Sequence, residues 1–292
     1  MKTILITGAN GQLGRELQAI APQFGSFRCI FTDIENLDIT CRNTVVGWIK
    51  ENRPDYIINC AAYTAVDAAE SDEQSAGILN SDAVGYITEG ACMVNAIVLH
   101  ISTDYVFDGT ASVPYKETDM PNPLSVYGLT KLKGEKQVLD YERGIVVRTS
   151  WLYSPYGKNF PNTIRKIGAG QNTINVVNDQ IGTPTYSLDF ANVLFSIIEH
   201  TEKGCNISGL YHFSNEGACS WYDFAQEILT SSGLKCRAIP VESTTFAGKA
   251  VRPQYSVLNR QKLKSLLNME IRHWQEAWQH CLLRISDHNF NF

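Results

Sequence analysis

Tyr127 and Lys131 are the two residues whose types and spacing could carry out acid–base chemistry. Because residues four apart lie on one face of a helix, this spacing predicts an ammonium group beside a phenol. A nearby cation favours the phenolate and lowers the tyrosine pKa from its usual value of about 10. Proton exchange with a sugar hydroxyl then becomes feasible. An ordinary surface helix can present the same pair, so the prediction needs support from other residues.

Thr103 supplies a third polar group at a position that the sheet should define. It lies at the end of the fourth predicted strand, which contains the apolar run Ile97-Val98-Leu99 and ends in residues 102–107. A hydroxyl at the carboxyl end of such a strand points into the crevice where an open α/β sheet binds its ligand. The tyrosine and lysine begin the helical stretch that follows, so the three side chains are expected to meet.

A glycine-rich segment near the N-terminus could hold a phosphate. Residues 7–14 read Thr-Gly-Ala-Asn-Gly-Gln-Leu-Gly, which places Gly8, Gly11 and Gly14 between a predicted strand and a predicted helix. Glycines allow the backbone to approach a pyrophosphate, and the N-terminus of the helix offers free N–H groups to the anion. The spacing differs from the usual Gly-x-Gly-x-x-Gly fingerprint, and a glycine-rich turn without a ligand is the alternative.

Asp33 lies at the end of the second predicted strand. A ribose-binding acid is expected about 20 residues after the glycines, and Asp33 lies close to that position. A carboxylate there accepts hydrogen bonds from both ribose hydroxyls and repels a 2′-phosphate, which favours NAD. Arg15 is near enough in sequence to offset that repulsion for NADP, so the sequence leaves the choice of cofactor open. The alternative role for Asp33 is to begin a turn.

Five short apolar runs alternate with helical patterns over the first 150 residues, which indicates an α/β fold with a parallel sheet. Each run is rich in β-branched residues, as strands buried on both faces are. The alternation of strand and helix patterns becomes less regular after about residue 150. There, Asn, Gly, Pro and Thr are frequent in residues 154–186, Ser220 and Asp223 predict a capped helix, and a last helix carries Trp274 and Trp278.

Composition excludes several classes of function. The chain has 292 residues and a formal net charge of −5, so it lacks the cationic field that nucleic acid or an anionic membrane needs. It contains no apolar run near the ~20 residues of a membrane span and no signal-peptide core at its start. The eight cysteines form no Cys-x-x-Cys pair, and we expect reduced thiols and a cytoplasmic location. The six histidines show no ligand spacing, and His100 is expected to be packed or adjacent to the cofactor.

These motifs resemble those of the extended short-chain dehydrogenases/reductases and, more narrowly, of the dTDP-4-dehydrorhamnose reductase family. The resemblance spans nearly the whole chain. It is carried by the motifs at 7–14, 59–67, 102–109, 122–128, 148–151, 179–185 and 252–253. It implies a Rossmann-type doubly wound parallel sheet with a smaller C-terminal substrate-binding domain. The nucleotide-binding domain would be residues 1–150 with a later contribution from about 176–215, and the remainder of 151–292 would bind substrate.

The resemblance also implies an activity, which is reduction of the C4 ketone of dTDP-4-dehydro-L-rhamnose by NADPH or NADH. Tyr127 would protonate the developing alkoxide, Lys131 would lower the tyrosine pKa and hold the nicotinamide ribose, and Thr103 would hydrogen-bond the carbonyl oxygen. The related dehydratases follow this threonine with Asp-Glu, whereas here Asp104 precedes Tyr105. Elimination of water therefore lacks its base, and simple reduction is favoured.

Further site residues follow from the same resemblance. The expected cofactor-binding residues are Gly8, Asn10, Gly11, Gln12, Leu13, Gly14, Asp33, Ala61, Ala62, Tyr63, Tyr127 and Lys131. The expected substrate residues are Val66, Asp104, Tyr105 and Trp151 around the sugar, with Gln180 and Arg252 facing the nucleotide diphosphate. Some family members carry a magnesium site at a dimer interface. Glu16 matches part of it, but the residues around Asp189 match poorly, so no metal is expected.

Two other functions stay open at this point. One is a related 4-reductase or epimerase acting on another sugar nucleotide. The other is a non-catalytic subunit, because a relative of this family is the regulatory subunit of methionine adenosyltransferase. The intact Thr103, Tyr127 and Lys131 favour an enzyme. The resemblance also allows for a homodimer, and it gives a dTDP-sugar as the small-molecule partner.

Overall fold

A six-stranded parallel sheet lies at the centre of the computed structural model, which describes residues 1–246 and 248–287. The strands are β1 (Lys2–Thr7), β2 (Phe27–Phe31), β3 (Tyr56–Asn59), β4 (Ile97–Thr103), β5 (Gly144–Thr149), β6 (Leu152–Tyr153), β7 (Thr173–Val177), β8 (Ile181–Gly182), β9 (Thr185–Tyr186), β10 (Gly209–His212), β11 (Cys219–Ser220) and β12 (Arg237–Val241). The helices are α1 (Gln12–Ile20), α2 (Arg42–Asn52), α3 (Val66–Ala69), α4 (Glu73–Gly77), α5 (Ala83–Val94), α6 (Val126–Leu139), α7 (Phe160–Gly170), α8 (Ser187–Glu202), α9 (Trp221–Ser231), α10 (Gln261–Leu267) and α11 (Trp274–Asp287).

The strand order explains where a ligand can bind. The sheet runs β10-β5-β4-β3-β1-β2, and every neighbouring pair is parallel. The chain moves outward from β1 to β2 and then returns to place β3 on the other side of β1. The strand order reverses there, and the helices that follow the two strands leave on opposite faces, which opens a crevice at the carboxyl ends of β1 and β3. The predicted α/β, Rossmann-type doubly wound fold is confirmed.

Helices cover both faces of this sheet. One face packs against α1, α8 and α10, and the other packs against α2 and α5. The central strands β1, β3, β4 and β5 are buried as their apolar runs predict. The expectation that all five predicted strands are buried on both faces is wrong for β2, whose residues are mostly half-exposed. The reason is its position at the edge of the sheet, where it has a single neighbouring strand.

A second apolar cluster forms the core of the C-terminal lobe. It joins α7, α9 and α11 around Phe224 and Trp278, which are both fully buried. The predicted cap of α9 is confirmed, because Ser220 and Asp223 each accept a hydrogen bond from the other residue's backbone N–H. The segment from α8 to β10 returns to the six-stranded sheet, where β10 pairs with β5. The division into domains near residue 150 stays a prediction.

Two general features bear on the cellular setting. Over the described ranges, no helix combines the length and the apolar character needed to cross a bilayer. All eight cysteines are free thiols.

Candidate active site

The glycine-rich loop connects β1 to α1 at the crevice. Gly8 has a φ of +65°, and a Cβ atom on it would lie 2.7 Å from the backbone nitrogen of Ala61 at the end of β3. A Cβ on Gly14 would lie 2.4 Å from the carbonyl oxygen of Gly8. These close approaches require glycine, because any side chain would push the loop off the sheet or the helix off the loop. Gly11 is the N-cap of α1, and no side chain caps that end.

The uncapped end of α1 fits the phosphates of a dinucleotide. The first N–H groups of the helix have no side-chain partner, and the helix dipole adds positive potential at this end. The loop residues Asn10, Gly11, Gln12 and Leu13 line the same cleft as the predicted catalytic residues. The residues present therefore fit a nicotinamide dinucleotide lying across the carboxyl ends of the strands.

Three predicted cofactor residues lie behind or beside the loop and do not line the cleft. Asp33 accepts a hydrogen bond from the backbone N–H of Asn10 (2.8 Å) and another from its own turn, at Ile34 (2.9 Å). Ala61 packs against Gly8, and Tyr63 is held by Asn80 through both backbone groups. Asp33 thus begins a turn, as the alternative role predicts, and also joins the loop to the end of β2; its contact with the ribose stays a prediction.

Thr103 and Tyr127 come together at the floor of the cleft. Thr103 ends β4 and is buried, and its hydroxyl accepts from the backbone N–H of Tyr105 and lies 3.1 Å from a carboxylate oxygen of Asp104. Polar interaction with the Thr103 hydroxyl favours the phenolate form of Tyr127 and acts to lower its pKa. Burial outweighs this contact and raises the pKa of Tyr127 to about 12, with a smaller contribution from the Asp104 charge. The predicted lowering of this pKa is therefore wrong for the protein without its ligands.

Lys131 is on the same helix one turn further on, and it is 2% exposed. Its Nζ donates to the carbonyl oxygen of Ile101 (2.6 Å) and lies 3.3 Å from Nε2 of His100. Burial lowers the pKa of Lys131 to about 8, although the charge of Glu135 acts in the opposite direction. The Lys131 amino group is thus engaged by β4, which explains why it does not lower the pKa of Tyr127 here.

Asp104 and Tyr105 follow Thr103 in a short 3-10 turn and face the cleft. Burial raises the pKa of Asp104 to about 6, against hydrogen bonds from Ser256 and Thr103 that lower it. The Tyr105 ring meets the Tyr127 ring edge-on, with centroids 5.6 Å apart. Burial also raises the pKa of Tyr105 above its usual value, so this phenol stays protonated at neutral pH.

The cleft holds about 620 Å³ and brings together most of the residues predicted from the sequence. The predicted residues on its walls are Gly8, Asn10, Gly11, Gln12, Leu13, Gly14, Ala62, Val66, Thr103, Asp104, Tyr105, Tyr127, Lys131 and Trp151. Sequence reasoning missed Tyr156, Lys158, Asn159, Phe160 and Trp221, which line it from the C-terminal lobe. The one signal for this group was Asn159 before Phe160-Pro161, which is the N-cap and start of α7.

Trp151 has an unusual backbone and a fixed ring. Its φ is +47°, a left-handed conformation that is uncommon for a bulky residue. The indole stacks on Trp221 with centroids 3.5 Å apart and an interplanar angle of 8°, and Gly182 leaves room for it on the other side. Trp221 also contacts Phe160. The strained backbone therefore serves to place a flat aromatic wall between the two lobes.

Gln180 and Arg252 line a neighbouring cavity of about 860 Å³. The two cavities share Phe160 and Trp221 as lining residues, so they adjoin at the aromatic wall. Arg252 forms an ion pair with Asp67 (2.5 Å) and a hydrogen bond with Tyr105. The family resemblance implies that Arg252 faces a diphosphate, which stays a prediction, and it did not anticipate the carboxylate partner.

The acidic residue expected to belong to a magnesium site is not available to a metal. Glu16 is fully buried, and both its oxygens accept from Nη1 of Arg284, at 2.8 and 2.9 Å. No group of three or more His, Cys, Asp or Glu side chains suited to a metal occurs among residues 1–246 and 248–287. These residues do not fit the magnesium site that some family members carry.

Short-chain dehydrogenases/reductases are the enzymes that place a dinucleotide-binding loop and a Tyr-x-x-x-Lys helix around one cleft of a parallel sheet. Both the sheet and the cleft put this chain in that class. A family model described as the RmlD substrate binding domain matches residues 1–286. The chain belongs to this family, that of the dTDP-4-dehydrorhamnose reductases.

Three relatives define the comparison. The dTDP-4-dehydrorhamnose reductase of Aggregatibacter actinomycetemcomitans is 40% identical over 285 residues, covering 95% of this chain and 97% of that protein. The crystal structure of dTDP-4-dehydrorhamnose reductase from Bacillus anthracis in complex with NADP is 37% identical, with a TM-score of 0.91 over 97% of this chain and 100% of that one. The dTDP-4-keto-6-deoxy-D-glucose reductase of Streptomyces niveus is 36% identical over 277 residues, covering 94% of each.

Proposed function

We propose that the chain is an NAD(P)H-dependent oxidoreductase that reduces the C4 ketone of dTDP-4-dehydro-L-rhamnose to dTDP-L-rhamnose, the last step of dTDP-L-rhamnose synthesis. The observation that carries the proposal is that Thr103 and Tyr127 line one cleft with Lys131 and the glycine-rich loop. Two hydroxyl groups that meet at one point can hold one carbonyl oxygen and protonate it. The likeness to the reductases named above supports the same substrate class.

Each catalytic residue has a role that its surroundings support. Tyr127 donates its proton to O4 of the sugar as the alkoxide develops, and its raised pKa keeps that proton in place until then. Thr103 donates a hydrogen bond to the same oxygen. Once Lys131 turns from Ile101 toward the cleft, its ammonium form binds the nicotinamide ribose and stabilises the phenolate that remains. When bound, the nicotinamide supplies the hydride for C4.

The substrate would lie across the aromatic wall. Val66, Asp104, Tyr105 and Trp151 surround the space above Tyr127 that suits a deoxysugar. Gln180 and Arg252 lie in the adjoining cavity, where a guanidinium can bind a diphosphate in place of Asp67. The Asp67–Arg252 pair is partly exposed, so exchanging one anion for another costs little desolvation.

A second candidate is a reductase for a different 4-dehydro sugar nucleotide. It is favoured by the Streptomyces niveus relative, whose name gives a substrate derived from D-glucose. That relative is nearly as similar to this chain as the dTDP-4-dehydrorhamnose reductases are. A regulatory subunit without activity is less favoured, because Thr103, Tyr127 and Lys131 are all present and meet in one cleft.

The deciding experiment follows NAD(P)H oxidation with each of the two dTDP-4-dehydro sugars. The L-rhamnose precursor is expected to turn over faster, and NMR of the product should show dTDP-L-rhamnose. Faster turnover of the D-glucose derivative would replace the proposed substrate. A chain that binds NADPH in calorimetry yet oxidises it with neither sugar would be a non-catalytic subunit.

The cellular setting is part of the same proposal. Eight free thiols support a reducing compartment, which for this enzyme would be the cytoplasm. A homodimer is the proposed assembly, and sedimentation velocity of the purified chain would measure it.

A further inference from the structure

A line of hydrogen-bonded side chains crosses the sheet from the glycine-rich loop to the catalytic lysine. Thr7, Asn59 and His100 are register neighbours on β1, β3 and β4. The Thr7 hydroxyl donates to Oδ1 of Asn59 (2.7 Å), Nδ2 of Asn59 lies 3.1 Å from Nδ1 of His100, and Nε2 of His100 lies 3.3 Å from Nζ of Lys131. All four side chains are buried, and the proposed mechanism uses only the last.

The orientation of the Asn59 amide is fixed by its neighbours. The backbone N–H of Ala61, which can only donate, points at Oδ1 of Asn59 at 3.2 Å. A flipped amide would bring two N–H groups against each other, so the oxygen must face Ala61 and the NH₂ group must face His100. Nδ1 of His100 is therefore the acceptor and carries no proton.

The fixed amide determines the tautomer of His100. Burial and the Lys131 charge lower the pKa of His100 well below its ordinary value, so the ring is neutral. A neutral ring with a bare Nδ1 carries its proton on Nε2, and that N–H points at Lys131. An ammonium group has no lone pair to accept it, whereas a neutral amine has one. The contact between His100 and Lys131 thus favours the amine form of the lysine.

We propose that His100 is a positioning residue that holds Lys131 beside β4 as a neutral amine and directs its ammonium form outward, toward Tyr127 and the cofactor ribose. The lysine would then take up a proton from solvent as it moves to the ribose. His100 acts through Lys131 and touches no substrate atom.

The other groups that act on Lys131 do not replace this effect. Glu135 lies one turn along α6, but its carboxylate is occupied by Arg148 and Ser102. Cys60, after β3, is buried, and burial raises the pKa of its thiol to about 12, so it stays uncharged. His100 on β4 and the Ile101 carbonyl are the groups in contact with Nζ. For its kinetic readout this inference rests on the proposed reductase function.

The first test needs no activity. Long-range proton–nitrogen NMR of the imidazoles in the wild-type protein distinguishes a protonated Nε2 from a protonated Nδ1, and the His100 signals are those absent from His100→Gln. We expect Nε2 to carry the proton. A protonated Nδ1 would overturn the proposal even if the protein proves to be a reductase, and a protonated Nε2 would uphold the tautomer even if it is not.

The second test is the pH profile of kcat/KM for the 4-dehydro sugar. In His100→Phe the N–H facing Lys131 is gone, so the alkaline limb that reports Lys131 should move to higher pH by about one unit. His100→Gln can offer its oxygen to Asn59 and its NH₂ group to Lys131, and it should keep the limb within a few tenths of a unit of the wild-type position.

The direction of the shift decides the outcome. If His100 instead accepted from the ammonium, its removal would move the limb to lower pH, which would overturn the proposal. If the alkaline limb does not move in His100→Phe and only the plateau of kcat/KM falls, His100 is a packing residue and the proposal is overturned. Melting temperatures of both variants show whether they are folded. If His100→Phe is unfolded, the NMR measurement of the wild-type protein decides the outcome.

Discussion

At the scale of single residues, the Tyr127 phenol illustrates how burial governs the chemistry of this cleft. Burial raises its pKa to about 12, while the Lys131 amino group that could lower the pKa is held 2.6 Å from the Ile101 carbonyl. The proton therefore stays on the phenol until substrate and cofactor rearrange the site. A general acid that keeps its proton at neutral pH suits the reduction of a ketone.

Tyr127→Phe removes that proton and little else. We expect kcat to fall by about 10²–10⁴-fold, because the lost group acts only in the transition state. The dissociation constant of NADPH, measured by titration calorimetry, should stay within a factor of about three. A phenylalanine variant with near-normal kcat would take Tyr127 out of its assigned role.

Asp33 controls the preference between the two cofactors if its carboxylate meets the ribose. Asp33→Ala should raise the ratio of kcat/KM for NADPH to that for NADH by roughly tenfold, which is about 1.4 kcal/mol, because repulsion of the 2′-phosphate disappears. The substitution also removes the hydrogen bonds to Asn10 and Ile34, so a somewhat lower melting temperature is expected. An unchanged ratio with only that loss of stability would leave Asp33 as a structural residue.

Asp104 should make stability depend on pH. Its pKa is about 6 when folded, against an ordinary value of 3.8 for an aspartate in water, so the folded protein binds this proton more tightly. The resulting stabilisation is complete below pH 3.8 and is lost as the pH rises through 6, and it amounts to about 3 kcal/mol. Asp104→Asn stays neutral, so its melting temperature relative to wild type should rise between pH 4 and pH 7.

Asp108→Asn is the matched control for that measurement. Hydrogen bonds, first from the backbone N–H of Thr110, lower the pKa of Asp108 to about 2. Its stabilisation is present above pH 3.8 and is lost only as the pH falls toward 2. The melting-temperature difference between Asp108→Asn and wild type should therefore be flat from pH 5 to pH 7. A flat difference for Asp104→Asn as well would show that Asp104 is ionised there in both states.

At the scale of elements, α6 is the part that sets the catalytic geometry. Ser125 caps it by accepting from the backbone N–H of Gly128, and the next residues carry Tyr127 and Lys131 toward the cleft. Glu135 fixes the far half of the helix to the sheet through two hydrogen bonds from Arg148 on β5, at 2.7 and 2.8 Å. The same carboxylate accepts from Ser102, directly before Thr103.

Glu135→Ala should therefore destabilise the protein by about 3–5 kcal/mol, because it leaves the buried Arg148 without its partner. Denaturant unfolding measures this loss. Glu89→Ala is the control, since Glu89 pairs with Arg42 on the partly exposed surface and should cost no more than about 1 kcal/mol. Equal losses in the two variants would contradict a special role for the buried pair.

At the scale of the whole molecule, a few hydrogen bonds and an ion pair join the N-terminal part of the chain to the C-terminal part across the cleft. The Gln12 side chain at the start of α1 accepts from Ser154 (3.1 Å) and Asn159 (2.8 Å). Arg284 on α11 donates to Glu16 and also to the Tyr186 hydroxyl (2.7 Å). A dinucleotide on the glycine-rich loop would thus lie next to residues that hold the lobes together.

Removal of divalent metal should leave the protein unchanged, because Arg284 already neutralises the buried Glu16 carboxylate. We expect the same kcat and melting temperature after dialysis against EDTA as after addition of millimolar Mg²⁺. Arg284→Ala leaves the buried Glu16 carboxylate without a countercharge and should clearly lower the melting temperature. A loss of activity in EDTA that Mg²⁺ restores would mean that a metal binds elsewhere.

Features that depend on local spacing could be predicted from the residues alone. Strand–helix alternation, the Gly8–Gly11–Gly14 loop and the four-residue step from Tyr127 to Lys131 follow from backbone periodicity and the small size of glycine. These gave the α/β fold and most of the cleft. The family resemblance rests on the same local patterns.

Features that depend on burial and on contacts between distant segments required the folded molecule. It placed β2 at the sheet edge, paired Arg252 with Asp67, and brought Trp221 and Asn159 into the cleft from a lobe whose loops carry little periodicity. It also reversed the expected pKa shift of Tyr127, because the phenol loses water on burial and Lys131 faces the Ile101 carbonyl instead of the phenol. Desolvation is a property of the packed molecule, and no spacing of residues along the chain encodes it.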